Sequence, residues 1–290
     1  FREMIQQRKV TILLFHDISK ETAVQTFNYL ARKYNVIALA DFIRACKDKQ
    51  HKLPKKALII TFDDGHKRNF ELLPVVQQLN IPVTIFLCSG IINTNRHFWF
   101  THKHPHFSSD DLKRVSNLKK LDILARTGFS VTKAYDEPQA LTKAQIKEMS
   151  HVVDFQAHTM FHPCLPMCHD DEAAEEVFKS KQALEADFGL SINAFAYPNG
   201  DYSDRDIRLL QEAGYECAIT VDYGFNTTQT DLFRLKRLSV NDADNLDELI
   251  VKASGVWGWF KTRNGRKQDH GWMQALTQTP QIIENQFKIN

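Results

Sequence analysis

Apolar runs recur along this chain at Val10 to Phe15, Ala57 to Phe62, Val83 to Leu87, Val152 to Phe155, Ala194 to Tyr197 and Cys217 to Val221. Each is short and apolar at successive rather than alternate positions, which predicts strands covered on both faces. Amphipathic stretches lie between them. Glu71 to Leu79 carries Leu72, Val75, Val76 and Leu79 on one stripe, Glu172 to Phe188 carries Ala173, Val177, Ala183 and Leu184, and Asp204 to Ala213 carries Ile207 and Leu210. Ser203 has the character of an N-cap for the last of these, and Gly214 that of a C′ stop. Strands alternating with helices predict an α/β fold built around a parallel sheet or barrel.

The rhythm breaks between Ile92 and about Gln139, where an aromatic, His-rich patch (His97, Phe98, Trp99, Phe100, His102) precedes a charged helical stretch. This segment reads as an insertion on a barrel rim. The expected organisation is a single domain over residues 1–290, with a core over 10–255, an insertion over 92–139 and a C-terminal extension over 256–290.

The 37 basic and 35 acidic residues leave a formal charge of +2, which offers no clustered basic face for a nucleic acid. No run of about 18 apolar residues occurs, so no transmembrane segment is expected. Five cysteines, an odd number in a chain of 290 residues, argue against a disulfide framework and favour a reducing compartment, with the cytoplasm as the expectation. The chain opens at Phe1 rather than Met, so an exported, cell-envelope protein is the alternative. Cys164 and Cys168 have the spacing of half a zinc site, but nothing in the sequence completes it.

The sharpest chemical signal is Thr61-Phe62-Asp63-Asp64-Gly65, where a strand ends in two adjacent carboxylates. The carboxyl ends of barrel strands face the usual active-site mouth. If one carboxylate binds a cation, their repulsion is relieved and the other is free to take a proton from a water. The second signal is His158-Thr159-Met160-Phe161-His162-Pro163, directly after another predicted strand. Two imidazoles four residues apart converge on one ion if the segment turns, and Pro163 favours that turn. With one Asp they make three protein ligands and leave a position open, as catalytic sites do. Each motif also has an ordinary reading, as a turn or as surface histidines, and their joint placement after strands of one sheet favours the metal site.

These motifs resemble those of the polysaccharide deacetylases of the NodB-homology type, carbohydrate esterase family 4, over roughly Val10 to Val240. The resemblance implies a distorted (β/α) barrel with a rim insertion, Asp63 as general base, and Asp64, His158 and His162 as ligands of one divalent ion, zinc first with cobalt or nickel as alternatives. It also implies an N-acetylated carbohydrate substrate. Where the family carries an Arg-x-Pro-Tyr-type loop, this chain has Phe195-Ala196-Tyr197-Pro198-Asn199-Gly200, with Ala196 in the Arg position. Asn199 is the candidate oxyanion donor through its backbone N–H. Arg237 is the candidate replacement partner of the base, a surface salt bridge being the other reading. The family's Leu-x-x-His is missing from Phe233 to Val240. The candidate acid is His16, in a Phe-His-Asp-Ile sequence similar to that of the branch acting on poly-N-acetylglucosamine; a capped turn around His16-Asp17 is the other reading. Trp99, Phe98, Tyr197 and Tyr202 are candidates to stack on sugar faces or else to pack in the core. An O-acetyl or acyl esterase, a non-catalytic carbohydrate-binding relative, and an amidohydrolase acting on a small non-sugar amide are the rival functions.

Overall fold

The computed structural model describes residues 8–240 and 246–254; the C-terminal extension expected over 256–290 lies outside them. The strands are β1 Thr11–Phe15, β2 Asn35–Val36, β3 Ala57–Phe62, β4 Val83–Leu87, β5 Val153–Ala157, β6 Ala194–Ala196, β7 Cys217–Tyr223 and β8 Leu235–Ser239. All pairings between them are parallel, and the order β1-β8-β7-β6-β5-β4-β3 closes on itself through β1 and β3. The expected distorted barrel therefore forms, from seven strands, while the two-residue β2 pairs only with the start of β3.

The helices are α1 Lys20–Lys33, α2 Leu39–Lys47, α3 Leu73–Leu79, α4 Ser109–Leu112, α5 Asn117–Ala125, α6 Lys143–Met149, α7 Asp170–Phe188, α8 Asp204–Glu212 and α9 Leu246–Ser254. None among the described residues is long and apolar enough to cross a membrane. The helix expected over 71–79 is α only from Leu73; the preceding residues Lys67–Leu72 are 3-10. Ser203 caps α8 as expected, its Oγ accepting the Asp206 N–H while Asp206 takes the Ser203 N–H in return. Gly214 follows with φ of 76°.

Every residue of β1, β3 and β4 is buried. One face of each packs outward under the helices and the other fills the barrel, which is why these runs are apolar without a break. One apolar cluster gathers Val10, Ala57, Ala194, Cys217 and Leu235 at the starts of strands together with Leu39, Phe42 and Ile43 of α2. That end of the barrel is thus filled, and the polar chemistry collects at the opposite end, where the strands finish. Between β4 and α6 the insertion folds as a 3-10 turn, Trp99–Thr101, and the helices α4 and α5, around its own cluster of Trp99, Leu112, Ile123, Leu124 and Phe129.

Candidate metal centre

Asp63 and Asp64 leave β3 in different directions because the backbone turns over between them. The Asp63 N–H still donates to Phe15 O at 3.1 Å, as a strand residue does. Asp64 and Gly65 then take φ of 73° and 72°, a region tolerated by Asp and open to Gly. A Cβ on Gly65 would lie 2.5 Å from Leu87 Cδ2, so a side chain there would have to displace the buried Leu87.

The result is two buried carboxylates with separate partners. Asp63 receives Arg237 Nη1 at 2.7 Å and Nη2 at 2.8 Å, a two-pronged pair from β8. Arg237 is itself fully buried and donates Nε to Thr220 O at 2.8 Å. Burial opposes ionisation of Asp63, but the guanidinium outweighs it and holds the carboxyl below its ordinary value. Asp64 instead faces imidazoles: its Oδ1 lies 3.6 Å from His158 Nε2 and 3.5 Å from His162 Nε2, and its Oδ2 accepts from His66 Nε2 at 3.1 Å. Burial again opposes ionisation, and the His162 imidazole and the His66 hydrogen bond outweigh it, so the carboxyl stays far below the usual range.

His158 enters from the end of β5. Its Nδ1 lies 2.7 Å from Ala196 O; since a carbonyl only accepts, Nδ1 carries a proton, and Nε2 is the nitrogen turned toward Asp64. His162 follows a turn in which Thr159 and His162 both have positive φ, 66° and 58°. Burial pushes its pKa down to about 3 and keeps the imidazole neutral.

These donors fit a divalent cation. Asp64, His158 and His162 each offer one atom, all within 4.8 Å of one another and all buried. Ligand atoms about 2.0–2.2 Å from a tetrahedral ion stand about 3.3–3.6 Å apart, and the separations to Asp64 Oδ1 match. Asp64 Oδ1 has no hydrogen-bond partner among the described residues. A buried ionised oxygen without a hydrogen-bond donor, flanked by two imidazole nitrogens, is the electrostatic complement of a cation.

The other candidates fall into two groups. His16 directly follows β1, partly exposed and close enough to Asp63 to favour its ionised form; Asn69 Nδ2 donates to its carbonyl at 2.8 Å. The neighbouring Asp17 is engaged by Arg68 at 2.8 and 2.9 Å. Asn199 has φ of 57°, with its Nδ2 3.1 Å from Cys164 Sγ. Of the four aromatic candidates, three pack in the interior. Trp99 is 1% exposed and offers no face to a sugar, because its indole N–H reaches under the His loop to His162 O at 2.7 Å. Tyr197 is fully buried, its hydroxyl donating to Phe233 O at 3.1 Å, and Phe98 is core as well. Tyr202, stacked on Tyr197 with centroids 4.9 Å apart, keeps part of its surface in solvent.

Two residues escaped the sequence reading. His66 stands two positions after Asp64, and a ring nitrogen so close to a candidate ligand was the available signal. Glu176 accepts the N–H groups of Met160 and Phe161 on one oxygen, at 2.6 and 3.0 Å, inside the His loop. Its signal was its place beside Ala173, Val177 and Leu184 on the buried stripe of α7. Cys164 and Cys168 are buried free thiols and join no candidate metal cluster among the described residues.

Residues 50–218 match the family model described as Polysaccharide deacetylase. The chain is 24% identical to YxkH of Bacillus subtilis over 195 residues, 66% of this chain and 54% of that protein. It is 25% identical over 229 residues to the poly-beta-1,6-N-acetyl-D-glucosamine N-deacetylase of Staphylococcus epidermidis, covering 76% of this chain and 65% of the relative. The chain thus spans between half and two thirds of the length of these curated relatives. Among solved structures, the Streptococcus pyogenes deacetylase PplD, in complex with acetate, superposes with a TM-score of 0.63 at 20% identity, over 84% of this chain and 98% of that one. That likeness is one of fold.

Proposed function

The chain belongs to the polysaccharide deacetylase family, and on that premise we propose that it is a metal-dependent N-deacetylase that removes acetyl groups from an N-acetylated glycan and releases acetate. One observation carries the reading: an ionised, Arg-held carboxylate, Asp63, stands beside a second carboxylate that shares a donor set with two imidazoles. Among mixed N/O ligand sets of this kind zinc is the first candidate, with cobalt or nickel able to replace it. A divalent ion held by Asp64, His158 and His162 supplies Lewis acidity toward a carbonyl oxygen and makes a nearby water more acidic.

The chain's own residues divide the remaining work. Asp63, ionised and fixed in direction by Arg237, accepts the proton of the attacking water. The backbone N–H of Asn199 donates to the oxygen that gains charge as the carbonyl becomes tetrahedral. His16 gives a proton to the amide nitrogen as the C–N bond breaks, so that an amine rather than an amide anion departs. A cleft of about 340 Å³ beside His66, lined by Asp17, His97, Thr101 and Gln139, offers polar groups for flanking sugar hydroxyls. The similarity to the Staphylococcus epidermidis enzyme supports a β-1,6-linked N-acetylglucosamine polymer as the first substrate to try.

The experiment is acetate release from β-1,6-linked N-acetylglucosamine oligomers, before and after exhaustive chelation and after adding zinc or cobalt, with an O-acetylated sugar in parallel. Activity lost on chelation and restored by metal is the expected outcome. Full activity in protein shown to be metal-free by elemental analysis overturns the reading, and turnover confined to the O-acetyl substrate makes the protein an esterase.

A further inference from the structure

The loop from His158 to Pro163 presents both imidazoles on a backbone that needs holding. Thr159 and His162 lie in the left-handed region, which non-glycine residues, β-branched ones above all, keep only when their surroundings fix them there. Three holds are visible. Thr159 Oγ1 accepts the His162 N–H at 2.9 Å, Glu176 accepts from Met160 and Phe161, and Trp99 Nε1 donates to His162 O at 2.7 Å.

The two imidazoles are secured unequally. His158 has its ring plane and tautomer fixed through Nδ1 on Ala196 O. His162 Nδ1 has no protein partner among the described residues. Its ring direction therefore depends on its own backbone and on what packs against it, and the insertion contributes to both. Trp99 takes the His162 carbonyl, and Phe100 meets the imidazole edge-on with centroids 4.9 Å apart. Behind the indole, the buried Lys120 of α5 places Nζ 4.1 Å from the centre of the Trp99 ring, an attraction that pins the indole in place.

We propose that the insertion is a clamp on the metal loop and that Trp99 is a positioning residue for His162, setting the direction from which His162 Nε2 meets the ion. The inference rests on Asp64, His158 and His162 being metal ligands. It gives residues 92–139 a task in the site itself, because the fold of α4 and α5 around Trp99 is what aims its indole N–H.

The test is zinc affinity, measured by competition with a chromophoric chelator, for the wild type and for Trp99→Phe, which keeps an aromatic ring and deletes the donor. Removing a group that orients a ligand weakens metal binding by about 10- to 100-fold, and that loss is expected here. The visible spectrum of the cobalt-loaded variant should also shift, reporting altered ligand geometry, while metal-free Tm moves little. Wild-type zinc affinity with an unchanged cobalt spectrum, whatever happens to Tm, would make Trp99 packing alone and overturn the clamp. Should Trp99→Phe fail to fold, Phe100→Leu, at a partly exposed position, removes the ring against His162; a weakened zinc affinity supports the clamp and an unchanged one overturns it. A wild-type chain that binds no zinc overturns the metal reading and the clamp with it, whereas zinc-binding wild type with unaltered variants overturns the clamp alone.

Discussion

Arg237 holds Asp63 through both of its terminal nitrogens, at 2.7 and 2.8 Å, and both residues are buried. This pair links the last strand of the barrel to the third. Arg237→Met should leave the Asp63 charge buried without a partner and cost about 3–5 kcal/mol, the usual penalty for breaking a buried pair from one side. Urea unfolding of the variant against wild type, with metal removed from both, measures this. A loss below about 1 kcal/mol would mean that water reaches Asp63 and screens it.

The ease with which parts of this molecule are read from sequence follows what buries them. β3 and β4 are covered on both faces, so their apolar runs are unbroken and their bounds are legible. β8 is just as central, yet Leu235-Lys236-Arg237-Leu238-Ser239 reads as polar, because its inward Arg makes sense only once Asp63 stands opposite. Asp64, His158 and His162 were legible because each follows a strand whose end has to face the same mouth. Trp99 was not, since an aromatic residue in a His-rich segment looks the same in sequence whether it meets a sugar or a backbone carbonyl. Glu176 has no partner legible in the sequence, and only the fold of the His loop reveals the two N–H groups it serves.

The division of labour between the adjacent carboxylates is open to direct test. Asp63→Asn keeps an oxygen for the Arg237 guanidinium and removes the base, so the variant should retain its metal while kcat falls by about two to four powers of ten. Asp64→Ala removes one of the three donors at the centre and should fail to hold metal through gel filtration. Elemental analysis of both variants decides the matter, and equal metal loss in the two would reverse the assignment.

Glu176 links pH to the stability of the His loop. Burial raises its pKa from 4.5 to about 7, against the opposing effect of the two N–H groups it accepts. The folded chain therefore keeps a proton that the unfolded chain has released, and the sign follows: the stabilisation is complete below about pH 4.5 and is lost as pH rises through about 7. Metal-free wild type should show a falling urea midpoint between about pH 5 and pH 8. Gln at this position retains an oxygen for Met160 and Phe161 but does not titrate, so the difference between the Glu176→Gln variant and wild type should change over that interval. Parallel profiles for the two proteins would place the proton elsewhere.

His16 follows β1 near Asp63, and the chain has no histidine between Phe233 and Val240 to serve as an acid. Expelling an amine from a tetrahedral centre needs a proton on nitrogen, because an amide anion is a very poor leaving group, whereas an aryl oxide departs without help. His16→Ala should therefore lower kcat on an N-acetylated sugar by about two to four powers of ten, the usual worth of a positioned acid. On an aryl acetate with an activated leaving group it should change kcat far less. Metal content and Tm should stay at wild-type values, since His16 contributes no ligand to the Asp64, His158, His162 set. Equal losses on both substrates would assign His16 to attack or binding rather than to proton delivery, and wild-type kcat on the N-acetyl substrate would remove it from the mechanism.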